Sequence, residues 1–272
     1  MKKTKLLSLV LAGALALGLV GCGGSTDKKE NDKVIRIGVS AVPHEEIVNA
    51  IKPLVEEKGY TLDVKVFDDY NTPNTAVYEE ELDANYFQHI AFLNETNEAK
   101  KYDLLNVAEI HLEPMSLYSK TAKSLDDFKD GDTISIPNDA TNEARALRVL
   151  EDAGLIKVKA GELVTPKDIT ENPKNLKFQE LAAEQLPRFL DEVAGAVING
   201  NYALQAELDA TKDGLYTEDK NREDINTKRN ILVVKESNKD SEKTKVLKEA
   251  LTSEECKKFI EEKYKGAVIP VF

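Results

Sequence analysis

The chain has 272 residues, of which 41% are hydrophobic, and its formal net charge is −12 at pH 7. This length is enough for one large domain or for two lobes. The acidic balance argues against nucleic acid as a partner, because phosphate binding needs basic patches. With two cysteines in all, the chain offers neither a disulfide framework nor a cysteine-rich metal site.

The N-terminal sequence predicts export and a lipid anchor. Three early lysines precede the apolar run Leu6–Val20, which is typical of a signal peptide and too short to be read as a spanning helix. The run ends in Leu-Val-Gly-Cys22, which matches the bacterial lipobox and predicts a diacylglyceryl thioether on Cys22. We therefore expect a signal peptide at residues 1–21 and a flexible, polar tether at residues 22–33.

The next segment predicts a strand, a helix and a strand. Hydrophobic residues alternate over Val34–Ser40 and again over Thr61–Phe67, which indicates two strands. Between them, hydrophobic residues recur at helical spacing, and Gly59 is well placed to end that helix. The three elements together predict a βαβ unit.

A second series of alternating elements begins after Pro114. We expect strands at residues 115–119, 133–136, 176–181, 194–198 and 230–234. Helices are expected after the capping residues Ser124 and Thr165, after Pro137-Asn138-Asp139, around residues 186–190, and at residues 241–251 and 253–264. This order predicts an α/β protein with two lobes and a cleft between them.

Polar residues follow several of the predicted strands. Asp69-Tyr70 comes after the second strand, Pro137-Asn138-Asp139 after a later one, and Asn199 after another. Ligands of open α/β sheets bind beyond the carboxyl ends of strands, so this pattern indicates a site between the lobes without naming its ligand.

Enzyme and metal signatures give little support for catalysis. The sequence has no G-x-S-x-G, H-E-x-x-H or P-loop motif, so we expect neither an enzyme nor a cofactor. The histidines His44, His89 and His111 are widely spaced and form no ligand-spaced cluster, although a metal-binding receptor stays an alternative. A structural or adhesive surface lipoprotein is a further alternative.

Two segments carry candidate binding residues. The seven-residue segment 83–89 mixes acid, amide, aromatic and imidazole side chains. It is either part of a site or a loop whose aromatic residues fill the core. The segment Thr141–Arg145 begins a helix, where free N–H groups favour anions and Arg145 would add a donor fork for a carboxylate. The alternative for Arg145 is an ordinary surface arginine.

The order and spacing of many short motifs resemble the methionine-binding lipoproteins of the NlpA/MetQ type. The motifs that carry this resemblance run from residue 34 to residue 270: Pro43-His44, Asp69-Tyr70, Pro73-Asn74, Asp83-Ala84-Asn85, Phe87-Gln88-His89, Leu117-Tyr118-Ser119, Pro137-Asn138-Asp139, Thr141-Asn142, Arg145, Gly154-Leu155-Ile156, residues 172–177 (NPKNLK), Val197-Ile198-Asn199, Tyr202-Ala203 and Asn230.

The resemblance implies a two-lobed periplasmic-binding-protein type II fold with an interlobe ligand cleft. Its two crossovers are expected near Glu113–Ser119 and Lys228–Val234. Lobe one would then comprise residues 34–116 plus 231–272, and lobe two residues 117–230.

The resemblance also implies seven ligand-binding residues. Tyr70, Phe87 and His89 would form an aromatic wall around a thioether side chain. Polar groups of four further residues would hold the other end of the ligand: Asn142 and Arg145 its carboxylate, and Asn199 and Asn230 the rest of its polar end. No metal is expected in this site.

The implied role is that of a non-enzymatic receptor, anchored by its lipid on the extracytoplasmic face of the cell membrane. It would bind methionine, with the L-isomer favoured, and deliver it to the permease and ATPase of an ABC importer. The alternative ligands are D-methionine or a short methionine-containing peptide. The sequence departs from the family at Thr227-Lys228-Arg229, where proline and tyrosine are common, and at Asn71-Thr72, where an apolar pair is common.

Overall fold

Two β-sheets organise residues 33–272, which are the residues that this computed structural model describes. The expected signal peptide, Cys22 and nearly all of the tether lie outside them. Residues 34–272 form one compact unit, and their helices and sheets confirm the predicted α/β class.

The first sheet has six strands in the order β13-β4-β12-β3-β1-β2, and the second has five in the order β11-β5-β10-β6-β9. The strands are β1 (Val34–Val39), β2 (Thr61–Val66), β3 (Ala84–His89), β4 (Leu104–Leu112), β5 (Ser116–Tyr118), β6 (Thr133–Pro137), β7 (Lys157–Val158), β8 (Ile169–Glu171), β9 (Lys177–Leu181), β10 (Gly195–Ile198), β11 (Tyr216–Thr217), β12 (Arg229–Lys235) and β13 (Ile269–Pro270). Strands β7 and β8 pair separately as an antiparallel ribbon.

Eight α-helices accompany these strands in residues 33–272. They are α1 (Glu46–Glu57), α2 (Pro73–Tyr78), α3 (Ile90–Lys100), α4 (Ala140–Asp152), α5 (Leu186–Phe189), α6 (Gly200–Gln205), α7 (Glu242–Leu251) and α8 (Glu254–Tyr264). None of the helices in this part of the chain is both long and apolar enough to cross a membrane.

The first sheet contains the predicted βαβ unit. Strands β1 and β2 pair in parallel in the register Ile35↔Leu62 and Ile37↔Val64, and α1 connects them. The helical spacing of its hydrophobic residues gives α1 one buried face, which packs with Leu247 of α7 against the sheet. Each fully buried aliphatic side chain in this core contributes roughly 1.5–3 kcal/mol.

The second sheet has its own core under α4. Leu147 and Leu150 of α4 pack against Ile134 of β6 and Val197 of β10. The helix begins at Asp139, whose carboxylate accepts the N–H of Asn142. It ends before Gly154, whose φ of +75° is a conformation that glycine adopts without strain.

Several predictions needed correction. The helix expected after Thr165 is a single 3₁₀ turn, Pro166–Asp168, and the helix around residues 186–190 is only four residues long. Strand β4 and helix α3 had no counterpart among the predicted elements. The segment 83–89 is not a loop, because its last six residues form β3 and every one of them is buried.

Two connections carry the chain between the sheets. The first runs from the end of β4 to the start of β5, residues 113–115, and the second leads from β11 through the 3₁₀ turn Ile225–Lys228 into β12. Both connections meet the residues of the site described below. The exact lobe limits stay predictions.

Candidate functional site

A cavity of about 340 Å³, including its opening, lies between elements of the two sheets. Side chains from both sheets line it, and all seven residues predicted from the sequence are among them. The lining consists of Tyr70, Phe87, Gln88, His89, Phe92, Glu113, Asn142, Arg145, Asn199, Gly200, Asn201 and Asn230.

Aromatic rings form one side of the cavity. The ring centroids of Tyr70 and Phe87 lie 5.9 Å apart, and Phe92 lies 5.8 Å from Tyr70 and 6.0 Å from Phe87. These separations are typical of favourable aromatic pairs. Phe92 was not predicted from the sequence, although its place three residues after His89 is a usable signal once α3 is known to begin there.

His89 joins the aromatic side to the polar side. Its Nδ1 accepts the N–H of Phe92 at 3.1 Å and so caps helix α3, which means that Nε2 carries the ring proton. Nε2 donates to Asn142 Oδ1 at 3.0 Å. Burial, together with the positive charges of Arg145 and Lys228, lowers the pKa of His89 well below its ordinary value, so the ring is neutral.

Asn142 is fully engaged by protein groups. Its Nδ2 donates to both carboxylate oxygens of Asp139 at 3.0 Å, and its Oδ1 accepts from His89 and from Asn199 Nδ2, at 2.8 Å for the latter. In this structure Asn142 therefore orients neighbouring side chains instead of offering free groups to the cavity.

Two other asparagines retain unused hydrogen-bonding capacity. Among residues 33–272, Asn199 Oδ1 and Asn201 Nδ2 are buried atoms without a hydrogen-bond partner. Unpaired buried polar groups cost roughly 1–3 kcal/mol, and they stay in native structures where a ligand or water satisfies them. Asn201, which Tyr70 Oη contacts through Oδ1, was missed from the sequence despite its place two residues after Asn199.

Arg145 is buried and paired, which the sequence did not indicate. Its Nε and Nη2 donate to Glu218 at 3.1 and 2.6 Å, and Nη2 also donates to the backbone oxygen of Glu113 at 2.8 Å. The side chains of Arg145 and Glu218 are only 4% and 1% exposed. The surface-arginine alternative is thus wrong, and one edge of the donor fork is already occupied by Glu218.

Glu113 lies where the first connection leaves β4, and it was not predicted as a site residue from the sequence. His111 Nε2 lies 2.6 Å from Glu113 Oε1, while Tyr86 Oη contacts the other ring nitrogen of His111. Burial raises the pKa of Glu113, and the nearby positive charge of Arg145 partly offsets this rise. A Cβ at Gly200 would lie 2.7 Å from that of Glu113, so only glycine allows this approach.

His44, His111 and Glu113 form a buried cluster, contrary to the expectation of dispersed histidines. Their potential ligand atoms lie within 4.8 Å of one another. However, the 2.6 Å distance between His111 and Glu113 is that of a hydrogen bond. Two ligand atoms on one tetrahedral zinc ion, each at about 2.1 Å, would be about 3.4 Å apart. Hydrogen bonds, not the spacing of a metal cage, therefore hold this cluster.

His44 extends the cluster to the second connection. Its Nε2 lies 3.1 Å from Asn230 Oδ1 and 3.5 Å from Glu113 Oε1. Burial lowers the pKa of His44 to about 4 and that of His111 to about 3, so both rings are neutral near pH 7. The cluster thus links residues at both points where the chain passes between the sheets.

Comparison with known proteins identifies a family. The family model described as NlpA lipoprotein matches residues 35–272. The methionine-binding lipoprotein MetQ of Bacillus subtilis is 43% identical over 272 residues, which cover 97% of this chain and 96% of that protein. The D-methionine-binding lipoprotein MetQ of Salmonella typhimurium is 40% identical, with 97% and 98% covered.

A solved structure supports the same relationship. The nutrient-binding protein of Burkholderia cenocepacia, determined with methionine bound, is 38% identical and superposes with a TM-score of 0.84. The match covers 88% of this chain and all of that one. The predicted two-lobed fold is confirmed, and the chain belongs to the NlpA lipoprotein family.

Proposed function

We propose that the protein is a lipid-anchored, extracytoplasmic substrate-binding protein that captures methionine and delivers it to an ABC importer. One observation carries this proposal: the cavity between the two sheets has an aromatic part and an adjoining part lined by amide, guanidinium and carboxylate groups. An amino acid with an apolar side chain has the same two ends. The names of the relatives support methionine as the ligand. The proposed role is binding without catalysis.

The aromatic side would enclose the thioether. This part of the cavity is lined by the rings of Tyr70, Phe87 and Phe92, which lie in contact with one another. A sulfur atom near an aromatic ring gains roughly 0.3–1.5 kcal/mol, which a methylene group does not. The aromatic side therefore favours methionine over a simple aliphatic analogue of equal length.

The polar side would bind the charged groups of the amino acid. Asn199 Oδ1 lacks a partner among the described residues and is an acceptor for the ligand ammonium, as is the Glu113 carboxylate. Asn201 Nδ2, equally without a partner, is a donor for the ligand carboxylate, together with Arg145 and Asn230. Asn142 contributes by holding His89 and Asn199 in place.

Ligand binding would stabilise the closed arrangement of the lobes. Tyr202 Oη donates to the backbone oxygen of Asp68 at 2.8 Å, which joins a helix after β10 to a turn after β2. A ligand that contacts both lobes only when they are closed shifts the equilibrium towards closure. The closed form is then the one presented to the permease, while the ATPase drives transport.

We propose that Cys22 carries the lipid that holds the protein at the outer face of the cell membrane. A diacylglyceryl group provides two acyl chains, which is enough for stable anchoring. L-Methionine is the favoured ligand in this proposal, although a relative named for D-methionine makes the opposite preference the main alternative.

The proposed ligand can be identified directly. Protein purified under native conditions would be denatured, and the released small molecules identified by mass spectrometry with chiral separation. We expect L-methionine at close to one equivalent. D-Methionine or a methionine-containing peptide would change the ligand but keep the role, whereas release of a different compound class would contradict the proposal.

Thermal stability offers an independent test. A ligand that binds only the folded state stabilises it by RT ln(1 + [L]/Kd), roughly 4 kcal/mol at a thousandfold excess over Kd. L-Methionine should raise the melting temperature of the unliganded protein, norleucine should raise it less, and glutamate should leave it unchanged. A shift with zinc ions and none with methionine would favour the metal-receptor alternative.

A further inference from the structure

Lys228 is the last residue of the 3₁₀ turn that leads into β12, two positions before Asn230. Its side chain is half-buried. Within the part of the chain that the structure describes, its ammonium forms no hydrogen bond and no ion pair within 4 Å. A partly desolvated cation without a direct partner is costly, so its position needs an explanation.

Lys228 and Arg145 line the same second cavity, which lies between helices α3 and α4 beside the ligand cavity. Arg145 also lines the ligand cavity and so separates the two spaces. The other cation on α4 in this cavity, Arg148, is already paired with Glu151 at 2.6 Å. Lys228 is therefore the cation of this lining that has not been neutralised by direct contact.

Glu218 neutralises Arg145, so the net positive charge near the ligand cavity must come from another cation. Because Glu218 binds Arg145 from 2.6 Å, this pair contributes almost no net charge to the ligand cavity. A ligand carboxylate placed against a neutral ion pair would lose its hydration without gaining a net counter-charge. Four acidic residues also line the second cavity: Glu95, Glu98, Glu162 and Asp224. Glu95 is half-buried, while the other three are exposed and so strongly screened by water.

The positive charge of Lys228 reaches the ligand cavity. Burial lowers the pKa of Lys228, and the charge of Arg145 lowers it further. The charges of Arg145 and Lys228 also lower the pKa of His89, which lines the ligand cavity. Lys228 thus acts on the end of the cavity where the proposed carboxylate donors lie, and a bound anion there would be attracted by its charge.

We propose that Lys228 is a specificity-determining residue that supplies the net positive charge needed to accept a ligand with a free, ionised carboxylate. The inference rests on the proposed function and deepens it, because it names the feature by which the site distinguishes a free amino acid from its uncharged carboxyl derivatives. The discrimination is electrostatic, and it adds to the hydrogen bonds that Arg145 and the asparagines provide.

The test compares two ligands on four proteins by calorimetry. L-Methionine and L-methionine amide, which lacks the negative charge, are titrated into unliganded wild type, Lys228→Met, Lys228→Arg and the control Lys248→Met. Lys248 is an exposed lysine on α7, so the control removes the same charge away from the cavity. Melting temperatures verify that each variant is folded.

We expect Lys228→Met to weaken L-methionine about tenfold and to leave methionine amide within about twofold of wild type. Lys228→Arg should restore the affinity, and raising the salt concentration should reduce the difference between wild type and Lys228→Met. Lys248→Met should bind both ligands like wild type. Equal weakening of both ligands, or no change in their ratio, would overturn the inference while leaving methionine binding intact. Failure of wild type to bind L-methionine would instead overturn the proposed function.

Discussion

His89 Nε2 lies 3.0 Å from Asn142 Oδ1, and this hydrogen bond joins the last residue of β3 in the first sheet to the first turn of α4 beside the second sheet. The proton must lie on Nε2, because Nδ1 caps helix α3. A neutral histidine with a defined tautomer therefore connects the two halves of the cavity. The same contact places the aromatic side and the polar side of the site next to each other.

Phe87→Ala should weaken methionine binding at least about a hundredfold. Phe87 is 3% exposed and packs against Tyr70, and truncating such a phenylalanine in a core costs about 3–5 kcal/mol. Calorimetry measures the affinity, and chemical unfolding measures the stability. Phe128→Ala is the matched control, since Phe128 has the same exposure but lies in the core of the second sheet.

The two variants should separate function from folding. Phe128→Ala is expected to lower the free energy of unfolding while the folded fraction binds methionine with wild-type affinity. If Phe87→Ala loses stability to the same extent and keeps its affinity, Phe87 is a core residue and not a part of the ligand site.

Removing Arg145 should destabilise the fold as well as binding. Arg145→Met leaves the buried carboxylate of Glu218 without its partner, which costs about 3–5 kcal/mol. Replacing the whole pair, with Arg145→Met and Glu218→Leu together, should recover most of this stability, because apolar groups of similar volume often substitute for a buried ion pair. Urea unfolding of the single and double variants measures the recovery.

The double variant then tests the ligand contact by itself. We expect its affinity for methionine to fall about 30-fold or more. It should also lose the preference for L-methionine over its methyl ester. Arg148→Met, in a partly exposed pair on the same helix, should change neither property much. Retention of the full preference in the double variant would remove Arg145 from the carboxylate site.

Methionine affinity should increase with pH in the range just above the ordinary glutamate pKa of 4.5. Burial raises the pKa of Glu113, so part of the unliganded protein holds this group protonated there. The ligand ammonium binds the ionised form, and protonation therefore competes with binding. His44 and His111, whose pKa values are lowered to about 4 and about 3, stay mostly neutral in this range.

Proton release upon binding provides the measurement. Calorimetry in two buffers of different ionisation enthalpy should show protons released when methionine binds at the acidic end of this range. Glu113→Gln should bind more weakly and release none. If the variant keeps the same pH dependence, the titrating group is a different one.

Cys22→Ala should abolish membrane association. Acyl chains contribute about 0.8 kcal/mol per buried CH₂, so a protein without its lipid should appear in the soluble fraction. Fractionation of cells and immunoblotting measure the distribution, with Cys256→Ala as the control, because Cys256 is buried in α8. Unchanged membrane retention of Cys22→Ala would contradict the lipobox interpretation.

Periodicity in the sequence predicted most elements of the two sheets. The alternation over Val34–Ser40 and the helical spacing before Gly59 were confirmed, because burial on one face repeats every second residue in a strand and every three to four in a helix. The sequence did not predict that segment 84–89 is a strand, because both faces of β3 are buried and half of its residues are polar. Asn85 and Gln88 satisfy one another and Asn74 by hydrogen bonds that no local pattern reveals.

Residue type and strand ends also predicted the members of the site. Tyr70 and Asn199 follow predicted strands, so elementary rules for α/β folds placed them beside the cavity. Asn142 and Arg145, which also line it, belong to the segment predicted to begin a helix. The resemblance to the NlpA/MetQ family added Phe87, His89 and Asn230. Their contact with a ligand stays a prediction.

The sequence by itself determined many of the segments that form strands and helices, and several of the polar residues at their ends. Only the tertiary structure decided the partners of those residues. Asn230 lies opposite His89 on one side and His111 on the other because β12 pairs with both β3 and β4. Glu218 neutralises Arg145 across 73 residues of sequence. Such pairings depend on strand order and register, which arise from the burial of whole sheets, and no local spacing encodes them.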